Sequence, residues 1–244
     1  DKWRILETDK LFLNIRNGFV GDVKSFYVEN GIKYLNGMNI KNNTIDDKGL
    51  INVSQSFHEN HKKSELKEND LVMVQSGHVG ECAVINEEFH GSNCHALLIM
   101  NPAESVHPFF YLYYFYSTYG KNKIHFITTG NTIKHILSSD LKKIKIPFPD
   151  YEEQEKIASF LTFVDSKIEK LTRKKELLEE YKKGVMQKLF SQEIRFKDDD
   201  GNDYPDWEEK RLSNIGGTFN GLNGKTKEDF GRGKPFIQYM QIFS

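Results

Sequence analysis

Along the first 150 positions the apolar residues fall in short runs rather than long stripes. Gly31-Ile-Lys-Tyr-Leu35, Asp70-Leu-Val-Met-Val74, Cys82-Ala-Val-Ile85 and His95-Ala-Leu-Leu-Ile-Met100 are each four to six residues long. Runs of this length between turn residues predict strands. The turns are marked by Asn17-Gly18, Asn36-Gly37, Asp47-Lys-Gly49, Ser76-Gly77 and Gly91-Ser92, residue types that tolerate tight reversals of the backbone. Two segments fit helices, the aromatic stretch Pro108 to Tyr119 and the short piece Thr132 to Leu137. Residues 1–150 therefore read as a mainly β domain of α+β class.

At residue 151 the period changes. Ile157, Leu161, Val164, Ile168 and Leu171 are spaced 4, 3, 4, 3, and the same stripe continues through Leu178, Val185 and Leu189. This is a heptad pattern with charged flanks, and it predicts a long coiled-coil-type helix over 151–192. Lys175 and Lys182 fall in the same register, which makes the seam imperfect, and Gly184 weakens the helix slightly. Pro147 and Pro149 stop the preceding strand, and Asp150 is placed to cap the helix. About 40 helical residues span roughly 60 Å. A single helix cannot bury its own stripe, so these eight apolar residues are the candidate interface for a second helix.

Residues 193–206 are an acidic, turn-rich linker, after which the pattern of the first domain recurs. Trp207 matches Trp3, and Asn220-Gly221-Leu222-Asn223-Gly224 matches Asn17-Gly18-Phe19-Val20-Gly21. Pro235-Phe236-Ile237 resembles the run Ile32 to Leu35, and Met240-Gln241-Ile242 resembles Met38-Asn39-Ile40. The offset drifts from 204 to 202. A period near 200 is far too long for a solenoid. It predicts a duplicated domain whose second copy begins at 207 and is incomplete at 244.

Bulk composition narrows the classes. With 38% hydrophobic residues in 244, the chain can bury one ordinary core, and no apolar run approaches the ~18 residues of a membrane span. Cys82 and Cys94 are the two cysteines, too few for a disulfide framework and suited to a reducing cytoplasm. The net charge of −1 gives no general support for nucleic-acid binding, so any such argument rests on local patches.

The order β-rich domain, Pro-x-Pro, Glu-Gln, long heptad helix and renewed β-rich start resembles the specificity subunits of type I restriction-modification systems. The resemblance rests on Ile146-Pro-Phe-Pro-Asp-Tyr-Glu-Glu-Gln-Glu-Lys-Ile-Ala-Ser-Phe-Leu161 with Val164, Asp165 and Ile168. Asp70 to Gly80, Thr129 to Lys134 and Leu141 to Pro147 add weaker matches. Phe148 and Tyr151 stand where smaller aliphatic residues are expected. The resemblance implies a non-catalytic subunit in which each β-rich domain reads half of a split double-stranded DNA site and long helices set the spacing. It implies partners as well: methyltransferase subunits that carry S-adenosylmethionine, a restriction subunit, and a second half-subunit or copy bound through the long helix. This chain needs no cofactor of its own on that reading.

Candidate DNA-contacting residues form three groups. Lys41, Asn42 and Asn43 lie in a polar loop, and Gln75, Ser76 and His78 in a tight turn where Gln75 is suited to pair with adenine. Lys123, Thr128, Thr129, Asn131 and Lys134 lie in a basic, hydroxyl-rich stretch. Competing chemistry is thinner. His78, Cys82, His90, Cys94 and His95 are zinc ligands by type, but not in knuckle spacing, and no metal site is expected. Asp206, Glu208 and Lys210 superficially resemble a metal-dependent nuclease motif, but they are contiguous where such motifs converge from separate strands. Asn101-Pro102-Ala103-Glu104 fails as a methyltransferase motif. The alternatives are a helical interaction protein that never binds DNA, and a metal-dependent nuclease.

Overall fold

The computed structural model describes residues 3–222, 224–231, 233–235, 237 and 242. The chain divides into two compact units, Asp1–Leu178 and Glu179–Ser244.

Among its described residues the first unit holds twelve short strands: β1 (Arg4–Glu7), β2 (Phe12–Asn17), β3 (Tyr27–Val28), β4 (Ile32–Leu35), β5 (Ile40–Lys41), β6 (Thr44–Ile45), β7 (Ile51–Val53), β8 (Leu71–Val74), β9 (Cys82–Val84), β10 (Asn93–Cys94), β11 (Leu97–Pro102) and β12 (Lys145–Phe148). Among them lie the helices α1 (Gln55–Asn60), α2 (Pro108–Tyr116), α3 (Thr118–Ile127) and α4 (Ser138–Leu141), and α5 (Tyr151–Phe190) begins in this unit. One sheet has the order β2-β11-β8-β9, all antiparallel. A second has the order β10-β4-β7-β3, with β10 parallel to β4. The strands β5 and β6 form a hairpin, and β1 pairs antiparallel with β12.

The central strands explain why the apolar runs lack alternation. Successive side chains of a strand point to opposite faces. Leu71, Met73, Leu98 and Met100 face one core with Phe110, Tyr111 and Phe115 of α2. Val72, Val74, Leu97 and Ile99 face a second core with Ala83, Ile85, Phe89 and Cys94. A strand buried on both faces reads as a continuous apolar run.

The expected helix from Pro108 to Tyr119 is two helices. Ser117 has extended backbone and its hydroxyl accepts the Gly120 N–H at 3.2 Å, so it caps a new helix that runs on to Ile127. The piece Thr132 to Leu137 is not a helix. Thr129 and His135 exchange both backbone hydrogen bonds, at 2.9 and 2.8 Å, and Ile136 donates to the Gln75 carbonyl at 3.0 Å. These bonds occupy the groups a helix would need.

The start of α5 is fastened to the domain by Gln154, which is fully buried. Its carboxamide oxygen accepts the His107 N–H at 2.9 Å, and its nitrogen donates to the carbonyls of Ser105 and Pro149 at 3.1 and 2.9 Å. Trp3 donates its indole N–H to Glu153 at 3.0 Å and packs edge-on against Phe110.

Burial holds the imidazoles of His95 and His107 below their ordinary value of 6.5, with Glu155 partly opposing this at His107. The unfolded chain takes up these protons near that value and the folded chain resists, so this contribution is complete above it and lost as the pH falls toward the lowered values. The urea midpoint should therefore drop between about pH 7.5 and about pH 5.5, and His95→Gln with His107→Gln should flatten the drop. An equally steep profile in that double variant would count against the assignment.

The second unit contains the rest of α5, where Val185 and Leu189 are half-buried. Phe190 meets Trp207 edge-on at 6.2 Å. Arg195 binds the Asp206 carboxylate at 2.9 Å and the carbonyls of Tyr204 and Pro205 at 2.9 and 2.6 Å. A short 3-10 turn at Leu212–Asn214 lies 212 − 8 = 204 residues after the one at Thr8–Lys10, the offset that relates Trp207 to Trp3. Asn223, Phe236, Met240 and Gln241 of the repeat lie outside the described residues.

Candidate nucleic-acid interface

The loop containing Lys41, Asn42 and Asn43 is the tip of the β5–β6 hairpin. Asn42 and Asn43 both have left-handed backbone, with φ of 49° and 58°. A two-residue turn of this kind matches the twist of its strands, and asparagine is among the few side chains that accept it. Lys41 and Asn42 are exposed, and Lys41 is loosely paired with Asp46 at 3.8 Å. Asn43 is half-buried and committed to the body of the domain. Its backbone N–H donates to the Tyr116 hydroxyl at 2.9 Å, and its carboxamide donates to Asp165 of α5 at 2.6 Å.

The tight turn follows β8. Gly77 and Gly80 take φ of 83° and 93°, a region L side chains rarely adopt. Ser76 hydrogen-bonds His135 Nδ1 at 2.8 Å, and the Gly77 N–H donates to the Lys134 carbonyl at 3.2 Å. The turn is thereby joined to the loop after α3. Gln75 is only half-exposed, and its carboxamide oxygen is buried without a protein partner. His78 is exposed.

The basic stretch divides around α3. Lys121, Ile124, His125 and Thr128 follow helical spacing on the side facing the glycine turn, where Ile124 is buried. Lys123 lies on another face with Phe126, Asp140 and Lys143. Thr129, Asn131 and Lys134 are exposed on the following loop.

An open cleft of about 390 Å³ results, lined by Gly77, His78, Gly80, Glu81, Tyr116, Lys121, His125, Thr128 and Lys134. Of the predicted residues, His78, Thr128 and Lys134 line it directly, and Ser76 supports it through His135. The hairpin adjoins it through Glu81, which accepts the Asn42 N–H at 3.2 Å and the Tyr116 hydroxyl at 2.7 Å. Burial, with help from the Glu81 hydrogen bond, raises the Tyr116 phenol and keeps it a donor. The Lys121 ammonium sits 5.6 Å from the Tyr116 ring. Exposed ammonium groups beside a glycine turn, where backbone can approach closely, suit a phosphodiester chain. No sequence pattern marks Glu81 and Tyr116 as lining this cleft, or Tyr113 and Asp165 as supports behind the hairpin. The tyrosines lie in an aromatic stretch whose pattern predicts only a helix, and Asp165 lies in the segment that carries the family resemblance.

The candidate zinc ligands are scattered. Cys82 lies in the first core and Cys94 in the second, and burial pushes both thiols up, Cys94 to about 12. His95 bonds the Tyr34 hydroxyl at 3.2 Å, and His90 accepts the Glu68 N–H at 3.2 Å. Among the described residues no three such side chains gather. Asp206 is paired with Arg195, and Glu208 with Lys210 at 2.9 Å.

The α5 stripe is not uniform. Ile157 packs on the first core, and Leu161 is half-buried beside Trp3, Ile5 and Pro147. Val164, Ile168, Leu171 and Leu178 are 36 to 56% exposed, so the free seam begins between three and four turns into the helix. Phe160 and Phe163 add further exposed apolar area. Among the described residues no helix is long and apolar enough to cross a membrane.

A model of the type I restriction modification DNA specificity domain matches residues 8–180, from the start of the β-rich unit into the long helix. The chain belongs to this family. The MjaX specificity subunit of a type I restriction enzyme from Methanocaldococcus jannaschii is 28% identical over 98% of this chain. The MjaIX specificity subunit from the same organism is 32% identical over 48% of it. The specificity domain here also has the fold of the S subunit of a type I restriction-modification system from M. genitalium, with a TM-score of 0.54, 24% identity and 78% of this chain covered. The chain spans 59% of the length of the MjaX relative and 46% of that solved chain. In this specificity domain the mixed α+β unit and most of the long helix form one matched segment, and Gln154, of the Glu-Gln motif, is a buried residue that fastens the second to the first.

Proposed function

We propose that this chain is a DNA-reading specificity component of a type I restriction-modification system. Its β-rich unit reads one half of a split double-stranded site, in the cytoplasm, and performs no chemistry itself. The observation that carries the reading is the convergence of Lys121, Lys134, His78 and His125 around one glycine-lined cleft, in a chain of this family. On this reading the exposed part of the α5 stripe receives a companion helix, from a second half-subunit or a second copy. Methyltransferase subunits bring S-adenosylmethionine, and a restriction subunit completes the system. The segments 151–192 and 207–244 then serve as spacer and as the beginning of a second reader, joined by 193–206.

The test is a gel shift on random-sequence duplex across a salt series. Lys134→Ala should weaken binding several-fold at every sequence and reduce the magnitude of the salt slope by about 1, as expected for one lost phosphate contact. Binding by the variant equal to the parent at all salt concentrations would remove the cleft from the interface. Failure of the parent chain to bind any duplex would favour a helical interaction protein instead.

A further inference from the structure

One exposed turn of the domain, at the tip of the β5–β6 hairpin, is fastened to α5. Asn43 has two N–H groups engaged by other elements: its carboxamide donates to Asp165 of α5, and its backbone N–H donates to Tyr116 of α2. Asp165 is held in turn by the Tyr113 hydroxyl at 2.8 Å. Burial, reinforced by Asp165, pushes the Tyr113 phenol up to about 12, so it stays a donor. Asn42 is held by Glu81, whose carboxylate also accepts the Tyr116 hydroxyl. The exposed Lys41, Asn42 and Thr44 side chains thus project from a turn whose two backbone N–H groups are both held and whose Asn43 carboxamide is tied to α5.

A turn of two left-handed residues needs no such anchors to form. Fixing it to the long helix has a different effect: it sets the hairpin's height and angle relative to α5. Groups that contact base edges must be placed within a few tenths of an ångström to discriminate, whereas contacts that only add positive charge tolerate slack. We propose that Asp165 is a positioning residue that locks the Asn42–Asn43 turn against α5, so that the hairpin presents Lys41, Asn42 and Thr44 to base edges at a height set by the helix. The proposal deepens the DNA-reading assignment above and rests on it. Asn43 is then an anchor rather than a reader, and its carboxamide is spent within the protein.

The experiment has two arms on the 244-residue chain. The first measures amide hydrogen exchange at Asn42 and Asn43 without DNA. Asp165→Ala should speed exchange at Asn43 by about tenfold while leaving exchange in β8 and β11 unchanged. Asn43→Asp, which sets two carboxylates together, should do the same. The exchanged pair, Asn43→Asp with Asp165→Asn, restores an amide–carboxylate hydrogen bond with the partners reversed and should return exchange to the parent rate. The second arm selects bound sequences from a pool of randomised duplexes. Asp165→Ala should reduce the enrichment of the preferred half-site by about fivefold while affinity for random-sequence duplex stays within about twofold. The exchanged pair should recover the enrichment, which a merely structural role would not require. Unchanged exchange in Asp165→Ala, or no recovery in the exchanged pair, overturns the lock. Normal enrichment despite fast exchange overturns its role in reading. If the parent chain enriches nothing, the DNA-reading assignment fails and the positioning role fails with it, while the exchange arm still decides the lock.

Discussion

Gln154→Leu should lower the unfolding free energy of the first unit by about 3–5 kcal/mol, one of the largest losses expected from a single side chain in this fold. Leucine nearly matches the volume but can neither donate nor accept. The His107 N–H and the carbonyls of Ser105 and Pro149 would then lose the partner they share. Leaving a buried polar group unsatisfied costs about 1–3 kcal/mol, and three such losses partly overlap because the groups surround one side chain. Gln154→Glu tests the direction of the bonds. A carboxylate still accepts from His107 but cannot donate to either carbonyl, and its charge would be buried beside two carbonyl oxygens. It should therefore be no better tolerated than leucine. Urea unfolding followed by tryptophan fluorescence measures both, with Trp3 hydrogen-bonded one residue away at Glu153. A loss below about 1 kcal/mol for both variants would mean that water replaces the carboxamide and that Gln154 is not the anchor.

The second large effect is expected at Gly120, in the first turn of α3. A Cβ there would lie 2.1 Å from the Tyr114 carbonyl oxygen and 2.6 Å from the Phe115 Cα. Both obstacles are backbone of α2, so no side-chain rotation relieves the clash. Gly120→Ala forces the two helices apart at the Ser117 corner, at a cost of about 3 kcal/mol or more. On the proposed reading the loss should also appear in DNA binding, because Lys121 and His125 of α3, with Thr128 just after it, line the cleft. Gly184→Ala is the contrasting control. That glycine lies in α5, and a Cβ added to it would meet nothing within 4 Å, so alanine should stabilise the helix by about 0.5–1 kcal/mol. Thermal unfolding of the two variants should thus shift in opposite directions. If Gly120→Ala melts within a degree or so of the parent, α2 and α3 do not approach each other this closely.

The sequence makes some of these features legible and hides others for physical reasons. Strands β8 and β11 are visible because burial on both faces leaves them unbroken apolar runs. The long helix is visible because its stripe repeats at heptad spacing over α5. The break at Ser117 is not visible. The aromatic run before it reads straight through, and only the capping bond to Gly120 reveals a new helix start. The Thr132–Leu137 segment misleads because its composition permits a helix while its hydrogen bonds go to Gln75 and Thr129. The Asn43–Asp165 contact joins residues 122 apart, and no local pattern pairs them. The seam shows both sides of the problem: its period is readable from the chain, but that Ile157 packs inward while Leu171 stays open follows from where the domain ends against the helix.

One free cysteine is buried on each side of the β2-β11-β8-β9 sheet, Cys82 from its own β9 and Cys94 from β10 of the second sheet, and this has a practical consequence. Disulfide reagents react with thiolates that they can reach, and neither Cys82 nor Cys94 offers one in the closed fold. Labelling must therefore wait for each layer to loosen, so the protein carries two internal clocks, and Cys82→Ser or Cys94→Ser isolates one at a time. On the proposed reading, comparing their rates with and without duplex DNA would tell which side of the sheet stiffens on binding.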